Sequence, residues 1–130
     1  MRHFIDTNIV VYAFSNGSEA SRAAEVLSEA TISVQVLNEF ANVALRKLGC
    51  DKARLDGRIE SIRKQVRLIV SIDETTHDLA RKVVFRYKLA FYDSVLIASA
   101  LLADCDTFYS EDMQDGLIIE DQLTIINPFV

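Results

Sequence analysis

The sequence predicts an α/β domain built on a central parallel sheet, and three observations carry that reading. Short β-branched or apolar segments alternate with longer segments of helical period. Acids stand directly after two of the short segments, and ligands bind at the carboxyl ends of strands in an open parallel sheet. The 130 residues are 50% hydrophobic and 25% charged, with one Pro and four Gly, so a single domain over 1–130 is expected with no flexible linker.

Taken in order, Phe4-Ile5 is a short apolar strand that stops at Asp6-Thr7-Asn8. Asp and Asn are poor strand residues and good helix caps, so the tripeptide is a strand-to-helix turn, with a helix beginning near Ile9. Ser18 to Glu29 is a helix, with Ala20, Ala23, Ala24 and Leu27 at helical spacing and Ser18 as its N-cap. Thr31-Ile32-Ser33 is the second strand. From Val34 the period is helical again, with Leu37, Phe40, Ala41, Ala44, Leu45 and Leu48 on the same side and Gly49 as the stop. Leu55, Ile59, Ile62 and Val66 form a second one-sided stripe, making residues 34–66 a helical hairpin.

Arg67 to Ile72 is the third strand, and Thr76 to Tyr87 a helix with Leu79, Ala80, Val83 and Val84 inward. Phe91-Tyr92-Asp93-Ser94 opens the most apolar helix of the chain, which has almost no polar face and should be central and buried. After a turn at Asp104-Cys105-Asp106, Thr107 to Tyr109 is the fourth strand, ending in Ser110-Glu111-Asp112. Asp115-Gly116 is a turn and Leu123 to Ile126 the last strand.

Charge is divided along the chain. All 14 Lys and Arg residues lie at or before Lys88, and 12 of them between Arg46 and Lys88, whereas residues 89–130 hold eight acids and no base. Solvated helix faces account for such a distribution, and so does a basic surface that holds a polyanion. The longest uncharged apolar stretch, Ser94 to Ala103, is about half a membrane span. No apolar signal region stands near the N-terminus, and Cys50 and Cys105 are isolated, without a zinc-type pair. These features suit a cytoplasmic protein. His3 and His77 have no recognisable partner pattern for histidine-based catalysis.

Four acids need an explanation. Asp6 and Asp112 follow strands, Asp93 opens the apolar helix, and Glu39 interrupts an apolar stripe between Val36 and Val43. Taken singly, Asp6 or Asn8 is a helix cap, Asp93 suits a helix dipole, and Glu39 at the stripe edge reaches water. Four carboxylates brought together would repel one another and raise their pKa values. A divalent cation makes the convergence tolerable, and an all-oxygen ligand set suits Mg²⁺ or Mn²⁺. Such ions activate water and steady the charge on a phosphodiester. The phosphatase pattern DxDxT is absent, because Thr7-Asn8 follows Asp6, and the adjacent acid pair of a receiver domain is missing.

The blocks Phe4-Ile5-Asp6-Thr7-Asn8, Asn38-Glu39-Phe40, Phe91-Tyr92-Asp93-Ser94 and Thr107 to Gly116 follow one another along essentially the whole chain. In that order and spacing the chain resembles the PIN-domain family, and within it the VapC-type toxin ribonucleases. The resemblance implies a PIN-like three-layer α/β fold, with a parallel sheet of order 3-2-1-4-5 and helices on both faces. It implies that Asp6, Glu39, Asp93 and Asp112 are the catalytic, metal-binding acids, with Asn8 and Ser110 as polar supports. Thr7 and Asp115 fall at positions where the family varies and are the remaining supporting residues. It further implies Mg²⁺ (or Mn²⁺) as cofactor, RNA as substrate, a small VapB-like antitoxin as partner, and a homodimer or a hetero-oligomer with that antitoxin. The alternative is a PIN scaffold that binds RNA or a protein without cutting.

Overall fold

Two phenylalanines join the central strands. In the computed structural model, which describes residues 2–130, Phe4 of β1 (His3–Ile5) lies opposite Phe108 of β4 (Thr107–Tyr109). Both are fully buried, and their rings stack with centroids 5.4 Å apart. β2 (Thr31–Ser33) pairs with the other side of β1, β3 (Leu68–Val70) with β2, and β6 (Leu123–Ile126) with β4, all in parallel. The five expected strands therefore take the expected order. Strand order reverses between β1 and β4, and that switch point is where an open sheet presents its binding crevice.

A sixth strand adds an antiparallel edge to the expected parallel sheet. β5 (Ile118–Ile119) runs antiparallel to β6 and extends the order to β3-β2-β1-β4-β6-β5. In the three-residue connection between them Glu120 and Asp121 both take left-handed φ, 52° and 53°, and the Gln122 N–H donates to the Ile119 carbonyl to close the turn.

The helices form two groups, one on each face of the sheet. α1 (Thr7–Ala13) packs on α2 (Ala20–Leu27) and on α3 (Val34–Arg46), which leads into α4 (Lys52–Gln65). α5 (Glu74–Tyr87) packs along α6 (Phe91–Leu102). α1 starts at Thr7, earlier than the expected Ile9, because the Asp6 side chain caps it by accepting from the Thr7 N–H. α2 is shorter than the expected 18–29: Glu19, not Ser18, precedes its first turn. Asp73 and Thr76 form a reciprocal capping box that starts α5 before Thr76. α6 is buried from Ser94 to Leu101, as expected, and its buried hydroxyls are satisfied within the helix by the Ala90 and Val95 carbonyls.

The apolar stripe assigned to α3 needs rotating. Its buried positions are Val36, Phe40 and Ala44, while Val34, Leu45 and Leu48 are exposed. α4 buries only Ile62 fully. The hairpin thus keeps an aliphatic surface in water. Cys50 and Cys105 are buried free thiols, and among the described residues no helix is long and apolar enough to cross a membrane.

Ser33, at the end of β2, is fully buried, and its hydroxyl has no hydrogen-bond partner among the described residues. A buried unsatisfied hydroxyl costs about 1–3 kcal/mol. Ser33→Ala is therefore expected to raise stability by about 1 kcal/mol, read as a melting temperature higher by about 3–5 °C. A fall in melting temperature would contradict this.

Candidate active site

Asp6 is the centre of a short network at the carboxyl ends of β1 and β4. Its backbone N–H donates to the Tyr109 carbonyl at 3.0 Å, tying the ends of the two strands together. One carboxylate oxygen accepts from the Thr7 N–H at 2.7 Å and the other from the Ser110 hydroxyl at 2.9 Å. Ser110 Oγ in turn accepts from the N–H groups of Asp112 and Met113 at 3.2 and 3.3 Å, shaping the loop after β4.

The first turn of α1 and the first two turns of α3 supply the remaining contacts. The Thr7 hydroxyl donates to Glu39 Oε1 at 2.7 Å, and Gln35, one turn earlier on α3, donates to Glu39 Oε2 at 3.1 Å. Asn8 Nδ2 donates to Asp112 Oδ2. Asp93, in the first turn of α6, is half-buried and has no hydrogen-bond partner among those found for the described residues.

The electrostatics join the four acids into one site. Burial pushes the Asp6 carboxyl up from 3.8 to about 6, against the lowering by Ser110 and Thr7, with Asp93 and Glu39 adding repulsion. Burial also raises Asp93, followed by the charges of Glu39 and Asp112. Among the described residues no Lys or Arg forms an ion pair with any of the four. Negative charge gathered without a basic partner, on hard oxygen donors, matches what a hard divalent cation requires. Among the described residues no three acidic, His or Cys side chains close into a ready cage. Mg²⁺ does not demand one, since it keeps several waters and binds through one or two carboxylates.

Six of the eight residues singled out from the sequence touch within this network, and Asp93 adjoins it through charge. Asp115 lies elsewhere: its carboxylate accepts from the Asn127 N–H at 2.8 Å and holds the last turn of the chain. Sequence reasoning missed Gln35, Tyr12 and Glu111. The Tyr12 hydroxyl donates to Glu111 at 2.6 Å, which raises the Tyr12 pKa to about 12. Asn8 and Tyr12, one turn apart on α1, therefore grip consecutive acids of the loop after β4. A cavity of about 260 Å³ between β3, α5 and α6 includes none of the four acids.

Solved structures share this fold. A toxin-antitoxin complex from Klebsiella pneumoniae matches at 22% identity over 98% of both chains, with a TM-score of 0.73. VapC20 of Mycobacterium tuberculosis, a sarcin-ricin loop cleaving toxin, matches at 18% identity over 85% of this chain and 89% of its own, with a TM-score of 0.66. VapBC2 from Rickettsia felis, bound to a DNA fragment from its promoter, matches at 19% identity over 86% and 89%, with a TM-score of 0.63. A sequence search of curated proteins finds no match. The family model described as "PIN domain" matches residues 3–114, a span that includes all four acids. The chain belongs to the PIN domain family.

Proposed function

We propose that this protein is a metal-dependent endoribonuclease and the toxin of a VapBC-type pair. The observation that carries the reading is the set of four carboxylates at the β1–β4 switch point, left without a basic partner among the described residues. Asp6, Asp93 and Asp112 would hold Mg²⁺ or Mn²⁺, directly or through water, with Glu39 completing the set. A cation held there would supply Lewis-acid stabilisation of the phosphodiester and make a water acidic enough to act as nucleophile near neutral pH. The chain's own residues hold the acids ready. Thr7 and Gln35 fix both oxygens of Glu39, Ser110 and the Thr7 N–H fix Asp6, and Asn8 orients Asp112. Glu39, held from two sides, would orient the attacking water. The test is to map new RNA 5′ ends after brief expression in cells. Discrete new ends with wild type and none with Asp112→Asn support the reading; identical maps contradict it.

A restraining partner belongs to the same reading, since the solved neighbours include a toxin-antitoxin complex. The aliphatic surface left by Val34, Leu45 and Leu48 on the α3–α4 hairpin suits an amphipathic helix. An Arg from such a partner could pair with the unpartnered acids and occupy the place of the cation. Leu45→Ser with Leu48→Ser is expected to weaken capture of the co-expressed antitoxin by about tenfold or more, each buried aliphatic side chain contributing about 1.5–3 kcal/mol. Unchanged capture would remove the hairpin from the interface.

A further inference from the structure

We propose that the exposed strip formed by α5 and the first turn of α6 holds an unpaired stretch of RNA beside the acids, by base stacking and phosphate pairing; this rests on the ribonuclease reading above. His77, Arg81, Phe85 and Lys88 recur at i, i+4, i+8 and i+11, so they share one side of α5 and its C-cap. All four are exposed, and Phe85 is 75% accessible. The strip continues onto α6. The His77 ring lies 5.8 Å from Phe91, and Phe91 lies 5.4 Å edge-on from Tyr92, which is 63% accessible. Asp93 of the acid site is the next residue along the chain.

Rings kept in water at this density are not serving the core, and their setting indicates what they meet. Residues 81–88 hold four basic and no acidic side chains, immediately before the wholly acidic remainder of the chain; Arg81 pairs with Asp78 and Arg86 with Glu120, while Lys82 and Lys88 form no ion pair among the described residues. A polyanion approaching four carboxylates needs cations nearby, and this is the run of basic residues that adjoins Asp93 in sequence. The hairpin surface is different in kind: its exposed residues Val34, Leu45 and Leu48 are aliphatic, which suits a protein helix. Alternating rings and cations suit nucleic acid, because rings accept any base face while cations track the backbone. A duplex keeps its base faces stacked inside. The occupant is therefore a single-stranded segment.

The test uses a short unstructured RNA carrying 2-aminopurine, and the same strand in a duplex, with wild type and ring variants in the Asp112→Asn background and Mg²⁺. Adding Tyr92→Ala or Phe85→Ala is expected to weaken single-strand binding by about tenfold each, the size of one lost base stack. Tyr92→Trp should retain binding, since any ring can stack. Binding should quench the 2-aminopurine signal, and Tyr92→Ala should remove that quench. Both rings are exposed, so melting temperatures should stay unchanged. Equal affinity across all ring variants, or a duplex bound as tightly as the single strand, would overturn the proposal. So would ring variants that leave RNA binding intact but dissociate a second copy of the chain or a co-expressed protein. If wild type cleaves RNA while ring variants bind normally, only the strip falls. If wild type neither binds nor cleaves RNA, the ribonuclease reading falls with it.

Discussion

Replacing Asp6 or Asp112 with Asn is expected to lower RNA cleavage by at least about a hundredfold while the protein stays folded. Each acid sits in a network that tolerates the amide. Asp112 is exposed and meets Asn8 through one oxygen, which an Asn can present equally well. Asp6 caps α1 by accepting from the Thr7 N–H, and Asn is as good a cap as Asp. What the substitution removes is charge, the property a cation reads. Cleavage rates measured beside thermal melts check the result. Activity within a few-fold of wild type in both variants would mean the acids are structural.

The largest effect on stability is expected from the Asp6 carboxyl in metal-free protein. Its folded pKa of about 6 lies above the ordinary 3.8, so between those values the folded state binds more protons than the unfolded state. The sign follows directly: the proton favours folding, and stability falls as pH rises through the window from about 4 to about 6. A carboxyl raised that far loses roughly 3 kcal/mol of proton-linked stability by pH 7. Asp93, raised by burial and by its acidic neighbours, pushes in the same direction. Asp6→Asn should flatten this dependence, and at pH 7 it should be neutral or stabilising without metal, the weakened Ser110 contact offsetting about 1 kcal/mol of the gain. Mg²⁺ should stabilise wild type more than the variant, by binding the folded state alone. Melts across pH 4–8, with and without Mg²⁺, decide it. Equal Mg²⁺ shifts in both proteins would count against a shared site.

These expectations rest on residues that were mostly legible in the sequence, because each broke a local rule. Asp6-Thr7-Asn8 ends a strand with poor strand formers, Glu39 interrupts an apolar stripe, and Asp93 opens a helix with almost no polar face. Cap chemistry located them, and the order of family-like blocks assembled them. What stayed hidden depends on pairings far apart in the chain. Tyr12 and Glu111 are separated by 99 positions, and nothing local marks either. Gln35 holds Glu39 from a turn away, yet any exposed Gln would look the same. β5 was missed because Glu120-Asp121 makes its hairpin turn without the usual Gly. Leu45 and Leu48 misled for the opposite reason. Helical spacing identifies an apolar face and does not say whether this chain or a partner covers it.

Whether the four acids serve a cation that cuts RNA is decided most directly by one measurement. Purified wild type is incubated with a labelled single-stranded RNA in excess EDTA, and Mg²⁺ or Mn²⁺ is then added beyond the chelator. No cleavage is expected in EDTA, and site-selective cleavage should return on adding either ion, with no restoration in Asp112→Asn. Cleavage that persists at the same rate in EDTA would contradict a cation-dependent site.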